Sequence, residues 1–447
     1  MAAYFVALSL GFFSDDYLIF WLIEFEGIEA IGDNFNDDFF IPLSHLFSYV
    51  TYSISSNPII HHTIQLLLHA ACAWQLYLLI LALFPNHDKR YWLAVITSLI
   101  FLLHPYQTEA VVWVSARSYL LCFLFAIMAI RKLVQAQVGC KKSLLLVGIY
   151  LAISIHFKEM GYAFGLISIA YVLMYRIDKK LYGLGLLATL TVCLVLRFIV
   201  LGNLVGGYGS DTHIIDFSNA LTNMGAYGLK LSGFFRYQSE LLGLSLQSNI
   251  IISCLIVLIS AVIVFIRVRK NKALFQHLIF WTICFTALLI PILSLEITSL
   301  NSMESDRYSY CVMAVVAFGL AWLLSSNIPA LSYTITISIL LMLTLLVQQN
   351  MLKWHQANLQ KAQFDSYWIQ SGFTKGHLLI EGVPDNLDGV YMYRNGLREQ
   401  LQIEGLINHK FDVCIITDAQ KNVDCKGYYI RKIVVQKLDQ GYSVTEQ

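Results

Sequence analysis

Asp15 and Asp16 stand side by side where the first hydrophobic run of the chain ends, and Tyr17 follows them. Two adjacent carboxylates repel, and burial raises the pKa of at least one, which suits a general base. Acids at a membrane boundary are expensive to hold and mark function more often than structure. A solvated helix end is the competing reading. More acids follow at Glu24, Glu26, Glu29, Asp33, Asp37 and Asp38.

Three further clusters carry charge where the surroundings are apolar. His104-Pro105-Tyr106-Gln107-Thr108-Glu109 separates two short apolar runs. Pro105 ends one helix, Thr108 can cap the next, and Glu109 is favourable at a helix start, so a capped turn accounts for the stretch. Arg117 then follows inside the next helix, where it needs an anionic partner, either Glu109 or a lipid phosphate. Phe157-Lys158-Glu159 is a tight turn, read either as a local salt bridge or as a Lys158 aimed at phosphate. Asp306-Arg307-Tyr308-Ser309-Tyr310, with Glu304 nearby, offers an arginine suited to bidentate phosphate binding. An anchoring arginine in an aromatic belt is the alternative there. His61, His62 and His69 lie at helical spacing without a matching carboxylate and are read as core or cavity histidines. No cofactor is expected with certainty, and a divalent metal is left open.

The elements that must position these residues are set by composition. Of 447 residues, 57% are hydrophobic and 13% charged, and mean hydropathy is +0.63. A soluble domain carries about 25% charge. The chain is therefore a polytopic α-helical membrane protein, and its net charge of +1 argues against nucleic-acid binding. Apolar segments near 2–14, 59–84, 91–103, 109–130, 143–157, 160–175, 181–202, 249–266, 277–295, 309–325 and 331–349 give about eleven spans. The first run, Met1–Phe13, is shorter than the roughly 20 residues that a span needs. Either Tyr17–Ile23 completes a tilted helix or the natural start lies upstream, and the second reading is preferred. No positive n-region or cleavage site marks a signal peptide.

Gly202–Gly209 reads as a loop. Asn219–Leu244, with Lys230, Arg236 and Glu240, reads as an amphipathic helix lying at the interface, as does Ile41–Ser56. With the N-terminus inside, Lys89, Arg90, Arg131, Lys132, Lys141, Lys142, Arg176, Lys179, Lys180, Arg267, Arg269, Lys270 and Lys272 fall on inner loops. Only Lys158, Lys230, Arg236 and Arg307 fall on outer loops, together with nearly all the acids of the membrane part. The outer face thus looks like an acid-lined cavity holding a few cations. Residues 1–349 form the expected membrane domain. Residues 350–447 form a small α/β domain outside, with strands at His377–Glu381, Val390–Tyr393, Val413–Thr417 and Gly427–Val435 and a helix at Asn395–Ile403. Nine cysteines show no metal spacing, and Cys414 and Cys425 could pair if the tail is extracytoplasmic.

The acidic pair, the Pro-containing aromatic segment after it and the helix bearing Leu66-Leu67-Leu68-His69 together resemble the GT-C glycosyltransferases. The nearer resemblance is to the protein O-mannosyltransferase-like branch, which includes the transmembrane and tetratricopeptide-repeat mannosyltransferases. His104 to Val111 matches that branch's H-P-x-x-T-E-A-V, Lys158-Glu159 its K-E pair, and Asp306 to Tyr310 its E-R-Y-x-Y with Asp for Glu. Pro384 to Gly396 (PDNLDGVYMYRNG) is similar to tails of bacterial relatives. The repeats are absent, which points to a bacterial inner-membrane enzyme.

The resemblance implies transfer of a sugar from a polyprenyl-phosphate donor to a protein, lipid or glycan acceptor at the outer face. Asp15 is then the first candidate base and Asp16 the second. Arg117, Arg307 and Lys158 would bind the donor phosphate, with His104, Glu109, Glu159, Asp306 and Tyr308 in support. A flippase for lipid-linked saccharides, an O-antigen polymerase or ligase, and a non-catalytic scaffold are the alternatives.

Overall fold

The computed structural model describes residues 2–32, 39–203, 217–232, 236–237, 242–269, 272–293, 302–325, 329–371, 378–407, 413–418, 431–438 and 441–446. Asp33, Asp37, Asp38, Asp211, Asp216, Glu240, Lys270, Glu296 and Cys425 lie outside these residues, as does most of the Gly202–Gly209 loop.

The helices are α1 Asp15–Glu26, α2 Pro42–Ile54, α3 Pro58–Leu83, α4 Arg90–Leu103, α5 Thr108–Val112, α6 Arg117–Gln135, α7 Lys141–Phe157, α8 Gly161–Tyr175 and α9 Lys179–Leu201. After them come α10 Phe217–Ser232, α11 Leu246–Val268, α12 Lys272–Leu289, α13 Val312–Leu324, α14 Pro329–Ser371 and α15 Leu397–Ile403. Local chemistry sets several of the starts. Asn57 Oδ1 accepts the Ile59 N–H at 2.9 Å ahead of Pro58, and Ser245 Oγ accepts the Ser248 N–H at 3.3 Å.

Among the described residues, six helices are long and apolar enough to cross a membrane: Pro58–Leu83, Val114–Gln135, Lys179–Leu201, Gln247–Ile266, Leu274–Ile292 and Ser332–Ile369. A seventh crossing exists if Arg90–Leu103 and Pro105–Val112, bent by 56°, count as one broken span. Gly161–Tyr175 and Val312–Leu324 are shorter apolar helices. These helices make the chain a multi-pass membrane protein, but they do not reach the expected eleven crossings. Each expected segment from residue 59 onward overlaps a helix, except that 109–130 is divided between Thr108–Val112 and Arg117–Gln135, and several of these helices are too short to span alone.

The first expected segment differs in kind. Ala2–Ser9 is a 3-10 helix, and Ser14, at φ 45°, breaks the chain before α1 begins. Tyr17–Ile23 therefore belongs to a separate helix rather than completing the first.

Val114–Gln135 is the most enclosed of these helices, whereas Gln247–Ile266 is the most exposed and presents Ile251, Leu255 and Leu258 outward, an apolar surface of the kind that lipid covers. Phe101 stacks on Phe123 at 5.0 Å, and the Tyr310 ring meets both edge-on, which joins α4, α6 and the 302–311 segment.

The 43-residue α14 is roughly 65 Å long, about twice the hydrocarbon thickness. It runs through the expected boundary at 349/350 and carries a four-stranded sheet in the order β4-β1-β5-β6. Here β1 is Leu378–Val383, β4 Val413–Thr417, β5 Arg431–Leu438 and β6 Gly441–Glu446. Strand β1 pairs parallel with β4 and β5, and β5 pairs antiparallel with β6. A small hairpin, β2 Asn386–Leu387 and β3 Val390–Tyr391, leads into α15. Cys414 is disulfide-bonded, and the other seven described cysteines are free.

Candidate active site

Four stretches far apart in sequence meet at one end of the bundle: the Ser14–Asp16 turn, the 104–117 stretch, the 302–309 loop and the tail 384–396. Trp113 Nε1 donates to Phe13 O at 3.2 Å, tying the second stretch to the first, and Gln65 Nε2 of α3 donates to Trp113 O at 2.9 Å.

The two aspartates have different surroundings. Asp16 is 1% exposed. It accepts the Phe13 N–H at 3.0 Å and the Ser115 N–H at 2.7 Å, and the Ser115 hydroxyl also donates to it. Burial pushes its carboxyl up to about 7, against the pull of these donors. Its capacity is spent on holding Ser115, two residues before Arg117. Asp15 is half-buried at the head of α1. One of its oxygens, Oδ1, accepts from Asn395 Nδ2 at 2.7 Å and from Ser14 Oγ at 3.4 Å. Among the described residues no donor reaches the other oxygen.

The expected phosphate-binding cations also separate. Arg307 is neutralised: its N–H donates to Glu109 Oε2 at 2.7 Å and its guanidinium to Oε1 at 2.5 Å. The rings of Trp113, Tyr308 and Tyr391 pack around it at 4.8, 4.5 and 5.5 Å. Tyr308 accepts from Arg307 Nη2 at 3.0 Å. Lys158 sits over the rings of Phe39 and Tyr119 at 4.6 and 5.1 Å. Glu159 pairs with Arg197 of α9 and accepts the Phe40 N–H, so the local Lys158–Glu159 reading gives way to a longer-range pair.

Arg117 is different. It is 1% exposed at the first position of α6. It donates to Thr51 Oγ1 at 2.8 Å and to His61 Nδ1 at 3.0 Å. Among the described residues no carboxylate lies within ion-pair distance of it, and its Nε has no hydrogen-bond partner. Glu109, one expected partner, is engaged by Arg307 instead. His61 accepts through Nδ1, so its Nε2 carries the hydrogen and donates to Ser55 O at 2.7 Å. This makes His61 a neutral support for the arginine. His62 reaches Gly11 O, and His69 lies between Tyr310 and Leu102 O. No three His, Cys, Asp or Glu side chains gather as a metal site among the described residues. His104 accepts the Tyr106 N–H at 3.3 Å and shapes the turn.

Asp306 is fully buried between two cations that the sequence pattern assigns to an interfacial helix. Lys230 Nζ lies 2.6 Å from one oxygen, and Arg236 donates to the other at 2.9 Å. Lys230 and Arg236 have no exposed surface, so these cations face the protein interior rather than water: an amphipathic stripe packs on a polar protein interior as readily as on water. Arg236 also donates to Ser302 O at 2.9 Å and to the Tyr237 hydroxyl, which donates to Asn350 of α14 at 3.0 Å. Asn350 in turn donates to Pro105 O at 2.9 Å, closing the network on the 104–109 turn.

The tail closes the site and was not legible as part of it. Asp385 holds Arg394, Nε at 3.0 Å and Nη2 at 2.6 Å, and the Arg394 guanidinium lies 4.0 Å from the Tyr391 ring. Gly389, at φ 88°, approaches so closely that a Cβ would stand 2.6 Å from Met303 N. Gly396, at φ 85°, does the same at Ser14 O, 2.4 Å away. Ser14 and Ser305, each immediately before an acidic motif, have positive φ of 45° and 68°, a conformation costing of order 1–3 kcal/mol that neighbours must hold.

No protein-family profile matches the chain, and no curated protein matches it. Among solved structures it is similar to the Archaeoglobus fulgidus oligosaccharyltransferase in complex with zinc and sulfate, at 13% identity and a TM-score of 0.42. The match covers 83% of this chain and 56% of that one, so the chain spans just over half the length of that protein.

Proposed function

We propose that the protein is a membrane glycosyltransferase that moves a sugar from a polyprenyl-phosphate donor to an acceptor hydroxyl on the outer face, with residues 1–349 as the catalytic part. One observation carries this reading. A carboxylate with an unengaged oxygen, Asp15, is joined through Asp16 and Ser115 to Arg117, a buried arginine that has no carboxylate of its own. A base and a cation with no carboxylate at ion-pair distance suit displacement of a phosphate.

In this reading Asp15 takes the proton of the acceptor hydroxyl as its oxygen bonds to the sugar's anomeric carbon. The bond from that carbon to the phosphate oxygen breaks, and the phosphate leaves with the electron pair. Arg117, at the N-terminus of the 19-residue α6, offsets the departing charge. Arg307 and Lys158, already paired or enclosed by rings, shape the surroundings. The sequence resemblance of the 104–111, 158–159 and 306–310 stretches supports the same reading.

The test is transfer in membranes supplied with polyprenyl-phosphate sugar. Asp15→Asn is expected to abolish it while the protein still accumulates. Full activity in that variant would sink the mechanism, and donor crossing the bilayer without transfer would favour a flippase. Mass spectrometry of lipid-linked sugars and glycans in a deletion strain would name the donor and acceptor.

A further inference from the structure

The tail adds to the acidic pair a side chain that the reaction above does not use. Asn395 Nδ2 donates to Asp15 Oδ1 at 2.7 Å. The same residue's N–H donates to Ser14 Oγ at 3.2 Å, and the Ser14 N–H donates to Met392 O at 3.2 Å. Gly396 lies against Ser14 O with no room for a side chain. The stretch 392–396 is thus fastened to the turn that carries Asp15 by its backbone on both sides of Asn395. This backbone fixes where the Asn395 amide points.

We propose that Asn395 is a positioning residue for Asp15: its amide holds one carboxylate oxygen so that the other is the oxygen that takes the acceptor's proton. The inference rests on the function proposed above. It makes the α/β tail a working part of the active centre, and it places acceptor entry beside the 392–396 strap.

The tests are Asn395→Ala and Asn395→Asp in the same membrane assay. Asn395→Ala is expected to lower kcat roughly tenfold to a hundredfold with donor KM unchanged, the scale of effect expected when a reacting group is misplaced. Asn395→Asp has the same size but can donate to Asp15 only while the two carboxylates share a proton. Its rate is therefore expected to peak at lower pH than the wild type and to fall as pH rises. A purely structural role would lower the rate equally at every pH.

An unchanged kcat in Asn395→Ala, or an Asn395→Asp profile parallel to the wild type, would overturn the inference. Failure of both variants to accumulate counts against it too, because an exposed side chain that only aims Asp15 is not needed for folding. Absence of transfer in the wild type overturns the proposed function itself. An active wild type matched by Asn395→Ala overturns only the role of Asn395.

Discussion

The Arg307 guanidinium and backbone N–H both close on the Glu109 carboxylate, one on each oxygen, across 198 residues of sequence. Both groups are buried, so each is the other's main compensation. Glu109→Gln would take from Arg307 the carboxylate it is paired with, a loss of about 3–5 kcal/mol for a broken buried pair. The double variant Glu109→Gln/Arg307→Met should lose less than the sum of the two single changes. Thermal unfolding of the detergent-extracted protein checks this, and strict additivity would show that the pair does not act as a unit.

Asp16 gives the fold a pH dependence of defined sign. Its folded-state carboxyl is raised from 3.8 to about 7 by burial, so the native state binds more protons than the unfolded chain between those values. Stability from this group is then fully present below about pH 4 and is lost as pH rises through about 7, at up to about 1.4 kcal/mol per pH unit. Asp16→Asn imitates the protonated acid. Across this window the wild-type melting temperature should fall relative to that of the variant, and parallel slopes would assign the dependence to another group.

The Asp306 cluster holds two cations on one acid, and the arithmetic of charge orders its variants. Asp306→Asn would strand Lys230 and Arg236 together in the interior and should prevent accumulation of the folded protein. Lys230→Met would leave the one-to-one pair of Arg236 and Asp306 and should be tolerated within about 1–2 kcal/mol, since an apolar group of similar size replaces a buried charge. Yield and melting temperature of the two variants test the order. A Lys230→Met protein as impaired as Asp306→Asn would show that the lysine does more than balance charge.

Sequence alone located most of the helices, because runs of apolar residues follow from lipid and core burial whatever the partners are. It also singled out Asp15, Glu109, Arg117 and Arg307, because charge within apolar surroundings is conspicuous, and the structure brings the stretches that carry them together. It could not assign partners. Arg236 lies 70 residues from Asp306, and Asn395 lies 380 from Asp15, with nothing local to mark either pairing. The apolar Met1–Phe13 run reads as a span start, yet the turn at Ser14 depends on the tail backbone packed on it. The different surroundings of Asp15 and Asp16 were equally hidden, since they are decided by which of the two meets Ser115.

Under the proposed function, Arg117 sets stability against activity. It is buried at the start of α6 among the Thr51 hydroxyl, the neutral His61 imidazole and the Phe47 ring, with no carboxylate at ion-pair distance among the described residues, and its Nε has no hydrogen-bond partner. A buried charge with no carboxylate at ion-pair distance costs the free protein stability. Arg117→Gln should therefore leave the melting temperature of the unliganded protein unchanged or raise it. The same change should cut sugar transfer by roughly a hundredfold to a thousandfold, the scale for losing one group that stabilises a developing anion. A ligand bound only by the folded state raises its stability in proportion to RT ln(1 + [L]/Kd), so polyprenyl phosphate should raise the wild-type melting temperature and fail to raise that of the variant. An Arg117→Gln protein that unfolds more easily than the wild type, yet keeps its response to polyprenyl phosphate, would make the arginine a structural residue and move the phosphate site elsewhere.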